Sequence, residues 1–347
     1  MAKLKHISTY LGYFLLLIAL GWLKPASALT FDLPQNGDSV IGHMQLTQAM
    51  EGDTFSTIGR RYDVGYFELV EANPSLDPNQ LTTGTLVVIP TRFILPNVPR
   101  KGIIVNLAEL RLYYYPPNSN KVITFPVGIG REGDGTLLGP TKVLRKVVNP
   151  VWSPTPQILA EDAKNKVAVP RSVPPGPDNP LGAYALFFHP TYLIHGTNDY
   201  TSIGRRSSAG CVHLLPEDIE AIFDQVKAGT PVNIISSAYK AGWLNGELYL
   251  EAHVPLQEDQ TSPYVDMTML KNIISTAAQS QPDSQINWTH AKKIANDQNG
   301  IPQIIGTLPT PILATESLPT TVDLTNSPIQ QAGLSNSANN NFTNATN

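Results

Sequence analysis

Gly102-Ile103-Ile104-Val105-Asn106 and, after a short break, Leu110-Arg111-Leu112-Tyr113-Tyr114-Tyr115 are the runs that decide the fold. Both are dense in β-branched and aromatic residues, which suit a packed, pleated surface, and Pro116-Pro117-Asn118 ends the second. Val122 to Gly128, Thr141 to Val148, Ala183 to His189 and Tyr192 to His195 read as further short strands, with Pro231 to Ser236 as a last one. Short strands separated by regular turns predict a mainly β fold, a sandwich or barrel. The 30 prolines, 25 glycines and 15% charged residues agree, since a helical bundle would carry fewer turn residues. Pro216-Glu217-Asp218 places proline and acids in the first turn of a helix over Ile219 to Val226. Residues 149–182 are rich in proline and lack periodicity. They read as a long loop, and loops of that length are usually functional or disordered.

Moving outward, residues 44–90 read as strand, helix, helix, strand. Met44 to Ala49 is the first strand, and Gly52-Asp53-Thr54 supplies a turn and an N-cap. Ile58 and Tyr62 then share a helical face, and a second helix from Tyr66 to Ala72 stops ahead of Pro74. Gly84 turns the chain into Leu86 to Pro90. Residues 29–43 look like a lead-in. After about 240 the signal weakens: a strand near Leu248 to Val254 and helices near 266–277 and 288–297 make up an extension over 237–306. The remainder, 307–347, is Pro, Thr, Ser, Asn and Ala with little charge, a composition expected to stay disordered.

The first 28 residues have the form of an export signal. Lys3 and Lys5 precede an apolar run from Tyr10 to Leu23, and Ala26-Ser27-Ala28 is a small-x-small exit. The run falls short of the roughly 20 residues a membrane span needs, so cleavage after Ala28 and a periplasmic location are expected. Removing the segment takes three lysines and no acids, which moves the net charge from −4 to −7. A mildly acidic chain without a basic cluster is a poor nucleic-acid binder.

One cysteine, Cys211, cannot make an internal disulfide. In an exported protein a leftover thiol is either an inert core residue or a reactive group. Its neighbourhood is Ile194-His195-Gly196-Thr197-Asn198, then Ile203-Gly204-Arg205-Arg206-Ser207-Ser208-Ala209-Gly210-Cys211-Val212-His213-Leu214. An imidazole nearby can lower a thiol's pKa and take its proton. His195 ends an apolar strand and the chain returns to Cys211 just ahead of a helix, a layout that can bring the two together. Ser208-Ala209-Gly210 is short and flexible enough for backbone N–H groups to converge beside the sulfur. The residues alone leave both readings of Cys211 open. His189, His195 and His213 lack a fourth ligand at plausible spacing, so no metal and no cofactor is expected.

This constellation resembles the L,D-transpeptidase catalytic domain, whose signature is His-Gly-Thr followed by Ser-His-Gly-Cys, an aliphatic residue and Arg or Asn. The likeness extends over Leu110 to Tyr115, Pro126 to Gly130, Gly139 to Val143 and Pro175 to Gly182, within a span of roughly 32–255. It is nearest to the LysM-bearing periplasmic branch. The segment 44–90 is similar to a LysM module through Gly52-Asp53-Thr54, Ile58, Tyr62, Leu69, Ala72-Asn73-Pro74, Leu81, Gly84 and Leu86 to Pro90. The resemblance implies a β-sandwich or barrel-like catalytic domain over 101–236, with a peptidoglycan-binding βααβ domain before it.

It also implies roles. Cys211 would be the nucleophile, His195 the general base, and the Gly196 carbonyl the group that orients the imidazole. Arg206, Ser208, Gly210 and His213 would contact substrate or shape the turn around it. The substrates implied are peptidoglycan stem peptides, with LysM holding glycan strands and a second stem or an outer-membrane lipoprotein as acceptor. Two positions depart from the pattern: Ala209 replaces the family's His, and His213 replaces its Arg or Asn. An Arg can hold a carboxylate bidentately, which a neutral imidazole cannot. A stem-trimming hydrolase with the same pair, or a non-catalytic wall-binding protein, are the alternatives.

Overall fold

The computed structural model describes residues 28–166, 168–259 and 265–309. All but the last residue of the expected export signal, and the expected tail beyond Pro309, lie outside the described residues. Among the described residues no helix is long and apolar enough to cross a membrane.

The chain is mainly β. A six-stranded sheet runs in the order Leu29–Asp32, Lys121–Pro126, Arg111–Tyr115, Gly102–Asn106, Pro231–Ile235, Gly139–Lys142. Its pairs are antiparallel except Pro231–Ile235 against Gly102–Asn106. A second sheet carries Arg145–Val148, Tyr184–Phe187, Leu193–His195 and Val212–His213. The core between them includes Ile103, Val105, Leu112, Phe125, Leu186, Ile194 and Val212. The Pro216–Phe223 helix closes it with Ile219, Ile222 and Phe223.

The deciding strands lack alternation because both of their faces are covered. Ile103, Val105, Leu112 and Tyr114 face the sandwich core, while Ile104, Tyr113 and Tyr115 pack with Ile41, Phe93 and Leu95. Strands buried on both sides read as continuous apolar runs. The expected strand over Thr141 to Val148 is two strands, one in each sheet. Val143, buried between them, marks the corner where the chain changes layers.

Two expectations need correcting. Residues 29–43 are no lead-in: Leu29–Asp32 is the edge strand of the six-stranded sheet, and Val40–Gly42 pairs with Arg92–Ile94. A strand signal this short is lost when its partner lies far along the chain. The long loop holds a helix, Pro156–Asn165, capped by Thr155 and with no buried residue. Below it, the buried Asn179 amide donates to the carbonyls of Pro150, Val173 and Pro174, which pins the loop's two arms. The strand and two helices expected after residue 240 are present and belong to an ordered layer. Tyr239–Leu244, Glu247–Ala252, Gln303–Thr307 and Gln285–Ile286 form a sheet under helices Met267–Ala278 and Trp288–Asp297.

In the N-terminal segment Gln45–Gln48 pairs with Leu86–Ile89, and helices Phe55–Tyr62 and Tyr66–Ala72 lie between. Thr54 caps the first helix reciprocally with Thr57. Phe55, Ile58, Leu69, Val87 and Ile89 form its core. A buried network ties the three parts of the chain together. Lys240 Nζ lies 2.7 Å from Glu109 and 2.8 Å from Glu251, and His253 bridges Glu251 at 2.7 Å and Glu71 at 3.0 Å. Burial works against charge on His253, but its bonds to Glu251 and Glu71 raise it to about 10.

Candidate active site

Leu193–His195 and Val212–His213 are parallel neighbours, with Ile194 opposite Val212 and His195 opposite His213. Parallel strands need a crossover, and residues 196–211 make it without a long helix. A single turn at Tyr200–Ser202 and the strand Arg206–Ser208, paired to Ile129–Gly130, fill the connection. Side chains alternate along strands, so Ile194 and Val212 enter the core while both imidazoles take the other face.

The two rings are stacked, 5.9 Å between centroids and 24° between planes. His195 Nδ1 lies 2.5 Å from the Gly196 carbonyl oxygen. That contact fixes the proton on Nδ1 and leaves Nε2 with a lone pair. Burial, aided by repulsion from His213, pushes His195 down to about 3, against the pull of the Gly196 bond. His195 is therefore neutral at physiological pH, the state a general base needs.

Cys211 precedes the Val212–His213 strand by one residue and is half-buried. Its Sγ lies 3.9 Å from the Thr191 carbonyl. Burial pushes the thiol up, partly offset by a hydrogen bond to the Leu193 backbone. Among the described hydrogen bonds none joins Sγ to His195. The turn before the sulfur is tightly built. Ser208 Oγ donates to the Cys211 carbonyl at 2.6 Å and accepts from the Gly210 N–H at 3.2 Å. Gly210 has φ +99°, and a Cβ there would lie 2.6 Å from the Tyr192 ring, so both conformation and space demand glycine.

The remaining residues singled out in the sequence are placed as follows. Arg206 forms an ion pair with Glu258 and donates to the Gly130 carbonyl at 3.1 Å. A substrate carboxylate reaching it would have to displace Glu258. His213 is buried with its ring in the space beside Gly128, where a Cβ would fall 2.0 Å from Nε2. Burial lowers His213 to about 4, against the raising effect of the Ser202 backbone and the Asp199 carboxylate. His189 stands apart, its Nδ1 3.1 Å from Thr191 Oγ1.

Two features had no sequence signal. Helix Tyr66–Ala72 points its N-terminus at the crossover: Tyr66 N–H donates to the Ile203 carbonyl at 3.4 Å and Phe67 N–H to the Gly204 carbonyl at 3.2 Å. These carbonyls satisfy donors that a helix start leaves open. A Cβ on Gly204 would lie 2.1 Å from Tyr66 N, and the Arg205 guanidinium sits 3.2 Å above the Tyr66 ring centroid. The N-terminal segment thus holds the connection between His195 and Cys211. The second feature is a cavity of 370 Å³ lined by Arg60, Asn149, Pro177, Thr197, Asn198 and Tyr200, reached by the residues just after His195-Gly196.

Comparison with known proteins identifies the two parts. Residues 100–234 match the model of the YkuD L,D-transpeptidase catalytic domain, and residues 51–90 that of the LysM domain. The chain is 38% identical over 290 residues to the probable L,D-transpeptidase YcfS of Escherichia coli K12, covering 81% of this chain and 91% of that one. It is 39% identical over 274 residues to the probable L,D-transpeptidase YbiS of the same strain, covering 77% and 90%. The chain belongs to the L,D-transpeptidase family. The probable L,D-transpeptidase ErfK/SrfK of that strain is a third such relative, 42% identical over 237 residues, covering 67% of this chain and 76% of that one.

Within this L,D-transpeptidase, Gly210 and Ser208 account for the backbone around Cys211, and Ala209, where the family pattern has His, is half-buried in the same turn. The cluster of metal-ligating type found among the described residues is Glu109, Glu251 and His253. Lys240 already supplies it with positive charge.

Proposed function

We propose that this L,D-transpeptidase acts on peptidoglycan tetrapeptide stems through a thioester on Cys211. Sγ attacks the carbonyl of the third stem residue, diaminopimelate. His195 Nε2 takes the thiol proton and passes it to the nitrogen of the departing D-alanine. An acceptor amine then attacks the thioester, loses a proton and frees the thiol. The acceptor we favour is the C-terminal lysine of an outer-membrane lipoprotein; a second stem, giving a 3-3 cross-link, is the other route. The mature protein would work in the periplasm after cleavage behind Ala28, with the LysM domain holding glycan strands.

The observation that supports this best is the neutral, buried imidazole tied to the Gly196 carbonyl one strand away from the chain's single thiol. Burial holds the imidazole down and the thiol up. A resting thiolate–imidazolium pair is then disfavoured, and the proton moves only as Sγ attacks. An imidazolium formed in so buried a place is a strong acid, suited to protonating a leaving amine. Backbone N–H groups near Gly210 and Cys211 would receive the tetrahedral oxyanion.

Intact-mass measurement after incubation with a carbapenem tests the nucleophile. One covalent adduct on the folded protein, absent in Cys211→Ala, is expected. A folded sample without an adduct would favour a wall-binding protein. Muropeptide analysis of cells with and without the gene then separates the outcomes. Peptide-linked lipoprotein or 3-3 dimers support transfer, and free tripeptide alone would mean hydrolysis.

A further inference from the structure

A second buried charge cluster lies where the LysM domain meets the catalytic sheet, and it holds too few cations. Arg111, fully buried, is bidentate to Glu68 at 2.7 and 2.8 Å and donates to the Asp63 carbonyl at 3.1 Å. That guanidinium is consumed by Glu68. The carboxylate of Asp63 is 3% exposed; its Oδ2 accepts from the Leu29 backbone N–H at 3.0 Å, and its Oδ1 has no hydrogen-bond partner among the described residues. Asp218, also 3% exposed, has Oδ2 in the same condition. The remaining neighbours, Arg60 and Glu217, pair with each other at 2.9 Å nearer the surface. Three buried acids therefore face one buried cation. Burial, with Glu68 and Glu217 adding to it, pushes Asp63 up to about 7 despite Arg111, and burial with Asp63 and Glu217 raises Asp218 as well. Leaving a buried carboxylate short of partners is costly.

The sequence offers a source for the missing charge. Ala26-Ser27-Ala28 is the exit of the expected export signal, and the residue after it is Leu29, whose nitrogen already touches Asp63. Hydrolysis of the Ala28–Leu29 peptide bond adds one water. Ala28 leaves with a carboxylate, and Leu29 keeps an α-ammonium with three protons where the peptide had one. We propose that Asp63 is the receptor for this α-ammonium, so that export processing completes the buried cluster and locks the edge strand Leu29–Asp32 between the LysM domain and the catalytic sheet. The strand already pairs Leu29 with Thr124 and Asp32 with Lys121, so the Leu29 nitrogen is beside Asp63 before the cation forms. Its three protons can serve both oxygens of Asp63, which one amide N–H cannot. An α-amine has an ordinary pKa near 8, and a buried carboxylate partner raises it. The pair contributes to stability at neutral pH. It is lost as pH rises through the raised amine value, and again as pH falls through the value Asp63 takes once paired.

The test uses the full mature chain in two forms, one beginning at Leu29 and one retaining Ala26-Ser27-Ala28, each with Asp63 or Asp63→Asn. Protein recovered from an exporting cell should begin at Leu29 by intact mass. With an amine-acylating reagent at pH 7, the Leu29 form should react at least tenfold more slowly than the form with three extra residues. Asp63→Asn should bring the two rates together. The Leu29 form should melt a few degrees above the longer form, and Asp63→Asn should erase that gap. Should Asp63→Asn not fold, the labelling rates of the two wild-type forms still decide. A different processed N-terminus, equal labelling rates, or a melting gap that survives Asp63→Asn would overturn the proposal.

Discussion

His195 and His213 end two neighbouring parallel strands, face the same way and stack on one another, yet the fold treats them differently. His195 has one ring nitrogen tied to the Gly196 carbonyl, a contact within its own strand-end turn. His213 is held from outside, by Ser202 and Asp199 of the crossover and by the space beside Gly128. The first arrangement ties the ring to a carbonyl of its own turn. The second ties it to the crossover and fixes it in a slot. Residue type and burial alone would not separate the two; their partners do.

That contrast can be broken in several ways. The largest effect is expected at the shared neighbour: Cys211→Ala should abolish turnover and carbapenem acylation while circular dichroism and melting stay near wild type. Acylation by the alanine variant would end the nucleophile assignment. His195→Gln should then slow acylation by about 10²–10⁴-fold, the usual worth of a general base, whereas His213→Gln should slow it by less than about 10-fold. Equal losses in stopped-flow acylation would show that the pair acts as a unit.

Gly128→Ala attacks the slot, since its Cβ would fall inside the His213 ring. Overpacking of this kind costs about 1–3 kcal/mol, and His213→Ala made in the same chain should recover most of it by emptying the slot. Urea unfolding of the single and double variants measures both. No recovery would mean that the ring is not what the glycine accommodates.

The smallest effect is in pH dependence. His195 and His213 sit at about 3 and about 4 in the folded protein, below the ordinary histidine value of 6.5. From 6.5 down to those values the unfolded chain binds more protons than the folded one, so their contribution to stability is full above 6.5 and is lost as pH falls. His253, raised to about 10, runs the other way: its contribution is full below 6.5 and is lost as pH rises through 10. Melting at pH 7 and pH 4.5 should show a smaller drop for His213→Gln than for wild type. Comparing the two variants cancels the opposing titrations of Asp63 and Asp218. An unchanged drop would place the acid sensitivity elsewhere.

Much of the fold was legible because it is written locally. The apolar runs around Ile103 and Tyr113, the Thr54 cap and the proline stop after Asn73 each act within a few residues. The Gly-Cys segment was legible for a similar reason, since a glycine at φ +99° leaves a mark in the sequence, and the His-Gly-Thr segment through its resemblance to a family signature. Long-range pairing was not. Leu29–Asp32 gains its strand state only from Lys121–Pro126, and the sheet of residues 239–307 closes by bringing Gln303–Thr307 back to Glu247–Ala252. Such short strands have little propensity of their own until a partner satisfies their backbone groups.

The sequence by itself determined the class of fold and the turn around Cys211, because these depend on side-chain chemistry and on steric limits local to the backbone. The tertiary structure decided that His213 sits in the space beside Gly128, that Arg206 is engaged by Glu258, and that a LysM helix braces the crossover between His195 and Cys211. Those outcomes rest on burial and on charges brought together across the chain. Neither quantity exists for a residue until the rest of the protein has folded around it.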